Sequence, residues 1–345
     1  DLLGDLEGDF DVMFVSGIFM VSSAVIAVMV NSDIMLKFMT FAFSRIRQFR
    51  PVAIIAVAYP MSSKLRTGLT LAMFALVIFT LMVMSVITSS FATTFEDDFD
   101  VVLAGWDVEG SINQITPISD INKEIENSSL LNAGEFVGIG GFTRLPVEVR
   151  EQAGRNSGWE QYQLRAASEE FLYSSDYELK LIAEGYGPDA WSVWRALNDD
   201  PNLAVIEGDA MPSEDGEQWR PLRFDEVFYD SESMDPVNLE IRMQPWISTE
   251  ILKLKVIAVI DRKHSSFGDF DGMLVSKKTI DNVSNYPLSV DRYRFKLSDN
   301  ADTEAIVKDL EVTFRDHGMQ AYLLSDAFNE GLGIFKAFLN IFIGF

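Results

Sequence analysis

Hydrophobic positions along this chain fall into long unbroken blocks at its two ends and into short strand-like runs between them. From Val12 to Ser32 no residue is charged: VMFVSGIFMVSSAVIAVMVNS. A second uncharged run, Gly68 to Phe95, reads GLTLAMFALVIFTLMVMSVITSSFATTF. A helix rises about 1.5 Å per residue, so about 20 apolar residues cross a hydrocarbon core about 30 Å thick. Both runs reach that length, which a buried helix of a soluble domain seldom does. A third apolar run opens at Gly331 and passes Lys336, placed to snorkel toward the interface, before reaching Phe345. The pattern predicts an 11-residue stub at 1–11, transmembrane helices at 12–32 and 68–92, and the start of another at 331–345. The acidic DLLGDLEGDFD before Val12 is unlike the basic leader of a signal peptide. With Asp1 at one end and apolar residues at the other, the sequence is expected to be part of a longer chain.

The central region, 93–330, shows a different periodicity and predicts an α+β domain. Leu254–Ile260 (LKVIAVI) and Gly272–Ser276 (GMLVS) read as strands, and Arg292–Ser298 (RYRFKLS) alternates like a half-exposed one. Asp302 is placed to cap a helix over Thr303–His317, with Ile306, Leu310 and Phe314 on one face and Gly318 as its stop. Met319–Leu324 (MQAYLL) then returns as a strand, so a βαβ-type element closes the domain. From Ser325 a helix is expected to continue into the last apolar run. Earlier, Val101–Ala104 and Phe136–Ile139 read as strands, while Glu169–Leu172 and Ala190–Asn198 read as helices. Met211–Gln218 and Asp230–Pro236 carry loop composition.

Charge orients these elements. Residues 33–67 carry Lys37, Arg45, Arg47, Arg50, Lys64 and Arg66 against Asp33 alone, a net of +5. Residues 91–330 carry 21 basic and 46 acidic residues, a net of −25. Short basic loops stay on the cytoplasmic side, so 33–67 is expected inside and 93–330 outside, in a multi-pass protein of the plasma membrane. Within the loop, Pro51–Ser63 (PVAIIAVAYPMSS) is apolar yet too short to span. Arg45, Arg47, Arg50, Lys64 and Arg66 bracket it, which predicts an elbow helix along lipid headgroups.

Composition then excludes several chemistries. A net charge of −24 disfavours nucleic-acid binding, and the absence of cysteine removes disulfides and thiolate metal sites. No G-x-x-x-x-G-K-[ST] occurs, so nucleotide binding through a P-loop is not expected. Gly138, Gly140 and Gly141 resemble a dinucleotide loop, but Thr143 stands where the third glycine belongs. His264 and His317 have no second histidine nearby for a protease-type zinc site. Asp269, Asp271 and Gly272 hint at a calcium loop whose remaining positions fail. Acid clusters at Glu96–Asp100, Asp199–Asp200 and Glu214–Glu217 read as solvated surface. Asn127 and Asn282 open N-x-S sequons on the outside domain. No catalytic constellation and no metal or cofactor of the chain's own is expected.

Tyr59–Ile87 (YPMSSKLRTGLTLAMFALVIFTLMVMSVI), with its basic L-R-T-x-L-T lead into a span, resembles FtsX-like, MacB-like ABC transporter permeases. Val256–Val283, Val290–Phe314 and Trp194–Gly208 are similar to parts of a MacB-like periplasmic core domain. The resemblance implies a non-enzymatic permease subunit whose partner ATPase binds ATP and Mg. It further implies pairing as a homodimer or with a second permease half, and mechanotransmission to the outside domain. Export of peptides or drugs, lipoprotein extraction and control of cell-wall hydrolases all occur in such a family. The span at 12–32 departs from a four-span member and points to a longer permease with two repeats. The alternative is a membrane-anchored extracytoplasmic ligand sensor.

Overall fold

The computed structural model describes residues 10–31, 34, 63–97, 99–152, 158–212, 224, 227–265 and 270–343. The chain divides into a helical unit, residues 1–95 with 334–345, and a globular unit, residues 96–333. The first division falls inside one continuous helix and the second inside another.

In the helical unit, α1 covers Phe10–Val30 and α2 covers Lys64–Asp97. They pack antiparallel. Phe79 of α2 sits against buried Gly17, where a Cβ would come within 2.3 Å of the ring, and Met29 of α1 lies over Gly68. Leu65, Leu69, Met73, Phe74, Val77, Ile78, Met82 and Val86 of α2 are all exposed, so the helix is apolar on nearly every side. Among the described residues Leu65–Ile87 alone is long and apolar enough to cross a membrane, and Val15–Val30 is an apolar but shorter stretch.

Among the described residues the globular unit holds ten strands: β1 Val108–Ser111, β2 Phe136–Glu151, β3 Glu160–Ala167, β4 Leu179–Ile182, β5 Leu203–Glu207, β6 Val237–Arg242, β7 Ile251–Ile260, β8 Met273–Ser276, β9 Arg292–Leu297 and β10 Gln320–Leu323. Pairing runs β2–β3–β8–β5–β7–β6 and back to β2, a closed circuit that leaves those strands no common free edge. Alternation fills its inside. Leu145, Val147 and Val149 of β2 meet Leu164 and Ala166 of β3, Leu239 and Ile241 of β6, and Leu252 and Leu254 of β7 in one core.

The long strand β2 serves two sheets. Its first half pairs with β9, continuing an antiparallel sheet in the order β10–β1–β9–β2. On one face of that sheet lie α3, Ile121–Asn127, and, after β9, α6, Thr303–Thr313. Ile125, Ile306, Leu310 and Phe314 pack there on Val108, Tyr293 and Phe295. Both β9 and β10 run antiparallel to β1, so they are parallel to each other with α6 as crossover. This is the βαβ-type element, split by β1. Asp302 accepts from the Ala305 amide at the helix start, and Gly318 stops the segment in the left-handed region at φ 66°. The last turn, Arg315–His317, is a 3₁₀ helix rather than part of α6. A third core lies on the outer face of β3, β5 and β8. There α4, Glu169–Ser174, and α5, Ala190–Asp199, bury Phe171, Leu172, Val193, Trp194 and Leu197.

Two expectations need correction. Val101–Ala104 is not a strand, because Phe99–Val102 forms one helical turn and Ala104 and Gly105 follow with φ of 52° and 73°. Phe136–Ile139 is only the opening of the 16-residue strand β2. Glycine depresses strand propensity, so Gly138–Gly141 conceals the continuation, yet these positions are where the sheet needs no side chain. A Cβ at Gly140 would lie 2.5 Å from the Phe171 backbone.

Candidate functional site

The basic residues expected to bracket an elbow helix fall mostly outside the described residues, which include neither Arg45, Arg47 nor Arg50. Lys64 is the first residue of α2. Arg66 is exposed two residues on, and its carbonyl accepts from the Thr70 hydroxyl at 3.0 Å. Asn127 is the exposed last residue of α3, and Asn282 is the exposed C-cap of a short helix after β8. Asp271, considered for calcium, is instead held by Arg165 at 2.6 Å. Among the described residues no group of three or more His, Cys, Asp and Glu could hold a metal ion.

Two polar arrangements stand out instead. The first surrounds the point where the chain enters and leaves the globular unit. The final helix α7, Leu324–Ile343, starts directly after β10 with no intervening loop. Its first amide, Leu324 N–H, donates to the Asp107 carbonyl at 2.9 Å. The Asp107 carboxylate accepts from the Leu297 amide at 2.7 Å. Entry and exit are thus joined through β1, β9 and β10. The turn before β1 is held from the other side by fully buried His264. Glu178 N–H donates to His264 Nε2 at 3.0 Å, which leaves the proton on Nδ1 to donate to the Val102 carbonyl at 3.3 Å. Burial lowers the His264 pKa and favours this neutral form. Gly105 is required here: a Cβ would stand 2.5 Å from an Asp176 carboxylate oxygen, in a left-handed conformation, beside the Lys296–Asp176 ion pair.

The second arrangement is a buried cluster of arginines on the sheet face opposite α6. Strand alternation builds it. Arg292 and Arg294 project from one face of β9, Glu109 stands directly across from Arg294 on β1, and Tyr322 stands across from Glu109 on β10. Glu109 is fully buried. It accepts from Arg292 Nη1 at 2.6 Å, from Arg294 Nε and Nη2 at 3.0 and 2.8 Å, and from the Tyr322 hydroxyl at 3.1 Å. Burial alone would raise its pKa, but Arg294, Arg144 and Arg292 together outweigh that and bring it down to about 2. Arg294 also donates to the Tyr177 hydroxyl at 3.2 Å. On β2 and β3, Arg144 and Arg165 are directly opposed. With Arg294 they surround the Phe142 ring at 5.4 to 5.6 Å from its centroid.

Sequence reasoning missed this cluster, although its signal was present. Glu109, Arg144, Arg292 and Arg294 each interrupt an apolar run at strand spacing. The alternation of RYRFKL suggests a half-exposed strand, yet Arg294 is wholly buried and its face carries ion pairs to Glu109.

No family model matches the chain, and no curated protein matches it. Several solved structures are similar, among them the following three. The periplasmic region of MacB from Actinobacillus actinomycetemcomitans is 13% identical with a TM-score of 0.41, covering 68% of this chain and 95% of that one. The extracellular domain of the noncanonic ABC-type transporter YknZ from Gram-positive bacteria is 7% identical with a TM-score of 0.36, covering 63% and 98%. A domain assigned to a permease protein of Porphyromonas gingivalis is 10% identical with a TM-score of 0.33, covering 64% and 89%. At this level of overlap they give no residue-by-residue correspondence to the cluster or to the junction.

Proposed function

We propose that this chain is a segment of the permease subunit of an ABC transporter. In this reading α2 and α7 enter the membrane, and the acidic globular unit stands outside the cell. The observation that carries it is the construction of the entry and exit points. The β10 strand passes straight into α7, and the Leu324–Asp107 hydrogen bond ties that helix start to the residue preceding β1. A shift of the bordering helices would therefore act on adjacent strands of one sheet, as mechanical coupling requires. The all-round apolar surface of α2 supports the membrane placement, because such a helix needs either a protein core or lipid around it. The resemblance of Tyr59–Ile87 to the span of FtsX-like, MacB-like permeases supports the transporter class.

Energy then comes from a partner ATPase that binds ATP and Mg, and the permease works with a second permease half or as a homodimer. The cargo class is a lipophilic or peptide substrate, or the output is control of a cell-envelope process. Asn127 and Asn282 remain glycan acceptors only if the host glycosylates N-x-S sequons. The test is co-purification of the full-length protein from its native membrane. A stoichiometric nucleotide-binding subunit, with ATPase activity that changes when α7 is cross-linked, supports the reading. Isolation without any ATPase, together with ligand binding that alters a cytoplasmic signalling domain, would favour the sensor alternative.

A further inference from the structure

A recess of about 280 Å³ lies where the chain enters and leaves the globular unit, lined by Trp106, Asp176, Lys296, Asp299, Thr303 and Ser325. Asp107 also borders it, but its carboxylate is engaged with the Leu297 amide. Lys296 and Asp176 satisfy each other at 2.5 Å. Other lining groups are not satisfied. Trp106 is only 2% exposed and its ring is stacked on Phe171, yet its indole N–H has no acceptor. Buried donors are almost always paired, so an orphan at the wall of a recess speaks for an acceptor supplied from outside the chain. Among the described residues, the exposed Asp299 carboxylate and the hydroxyls of half-buried Thr303 and Ser325 have no side-chain partner either.

These groups sort by charge. The Asp299 carboxylate requires a cation, whereas the Trp106 N–H and the two hydroxyls suit an oxyanion. Thr303 is the first residue of the 11-residue α6 and Ser325 the second of the 20-residue α7, so two helix N-termini border the recess and favour negative charge there. One ligand that meets both demands carries an ammonium and a phosphate a few bonds apart. The volume lies just below the about 300–1,000 Å³ of sites for drug-sized molecules, which suits a polar headgroup without its acyl chains. Ser325 also stands six residues before Gly331, where the last apolar run opens, a rise of about 9 Å along α7. That rise is close to the roughly 5–8 Å depth of the polar layer on each side of a hydrocarbon core.

We infer that this recess binds the headgroup of a zwitterionic phospholipid, with the ammonium at Asp299 and the phosphate at the Trp106, Thr303 and Ser325 donors. The inference rests on the reading that α7 enters the membrane and needs no ATPase partner. A headgroup seated there touches both the loop after β9 and the first turn of α7, so lipid would bear on the junction through which a helix shift reaches the sheet.

The test is equilibrium binding of radiolabelled glycerophosphoethanolamine to the full chain in phosphatidylglycerol nanodiscs, at fixed ionic strength. Saturable binding is expected, weakened at least tenfold by Asp299→Asn and unchanged by Asp316→Asn, which alters an exposed carboxylate outside the recess. Asp299 is exposed and unpaired, so Asp299→Asn should keep the wild-type thermal midpoint. Trp106→Phe keeps an aromatic ring against Phe171, removes the N–H and should also weaken binding. Glycerophosphoglycerol, which lacks the ammonium, should compete at least tenfold more weakly than unlabelled glycerophosphoethanolamine. In nanodiscs where phosphatidylethanolamine replaces half of the phosphatidylglycerol, the tethered headgroup should exclude the soluble one. Absence of saturable binding to the folded wild type, equal binding by Asp299→Asn, or undiminished binding in the phosphatidylethanolamine nanodiscs overturns the proposal. Co-purification of a nucleotide-binding subunit tests the permease reading separately, so the two can fail independently.

Discussion

Replacing Glu109 with Gln retains the side-chain shape and one carbonyl acceptor but removes the charge at the centre of the arginine cluster. Arg292, Arg294 and the nearby Arg144 then share a buried site with no carboxylate at that position. The pKa of Glu109 falls from 4.5 to about 2 on folding, which by linkage corresponds to about 3 kcal/mol at neutral pH. Breaking a buried ion pair by removing one partner costs ~3–5 kcal/mol in general, so the two routes agree in size. For a unit of this length each kcal/mol lowers Tm by about 2–4 °C, which gives a drop of roughly 6–12 °C. The sign with pH follows from the depressed pKa. The stabilisation is complete above 4.5 and is lost as pH falls from 4.5 toward about 2. Thermal unfolding followed by near-UV circular dichroism, at pH 7 and in steps down to pH 3, should show wild type and Glu109→Gln converging on acidification. A loss below about 1 kcal/mol at pH 7, or a difference that does not shrink with acid, would refute the account of the cluster.

Other consequences can be checked on the same purified protein. Because the His264 pKa is lowered on folding, its contribution should be complete above its ordinary value of 6.5 and decline as pH falls below it. The Val102 amide's isotope-shifted carbonyl band should change over that interval in wild type and stay constant in His264→Gln. Gly140→Ala places a methyl 2.5 Å from the Phe171 backbone and should cost about 1–3 kcal/mol in denaturant unfolding, whereas Gly333→Ala, with open space around it, should cost little. Gly17→Leu drives a side chain into the Phe79 ring, so a disulfide engineered between Met29→Cys and Gly68→Cys should form less completely in that background.

How far the sequence could be read differs by element, and the reason is range. The α6 helix and its flanking strands were legible because Asp302, the apolar spacing of Ile306 and Leu310, and Gly318 are all local signals. The β7 strand was legible as an apolar run for the same reason. Closure of the strand circuit was not, since it depends on β2 meeting β3 on one edge and β6 on the other, across long stretches of chain. The glycines of β2 pointed away from a strand because their purpose, room for Phe171, Val290 and Tyr293, lies in partners distant in sequence. The arginine cluster was hidden for a related cause. Arg165 and Arg294 each read alone as ordinary surface cations, and only pairing of β1, β9, β2 and β3 brings them together. Of the elbow arginines the sequence names, Arg66 is the one whose exposed side chain the structure describes.

The membrane arrangement can be tested without background labelling because the chain has no cysteine. Single cysteines would replace Trp246, 65% exposed on the globular unit, and Ser63, just before α2. Intact cells would be treated with a membrane-impermeant maleimide, before and after permeabilisation. Labelling of Trp246→Cys in intact cells, with Ser63→Cys reacting only after permeabilisation, is the predicted result. The reverse pattern, or equal labelling of both sites in intact cells, would contradict a domain held outside the cell by a helix that crosses the bilayer.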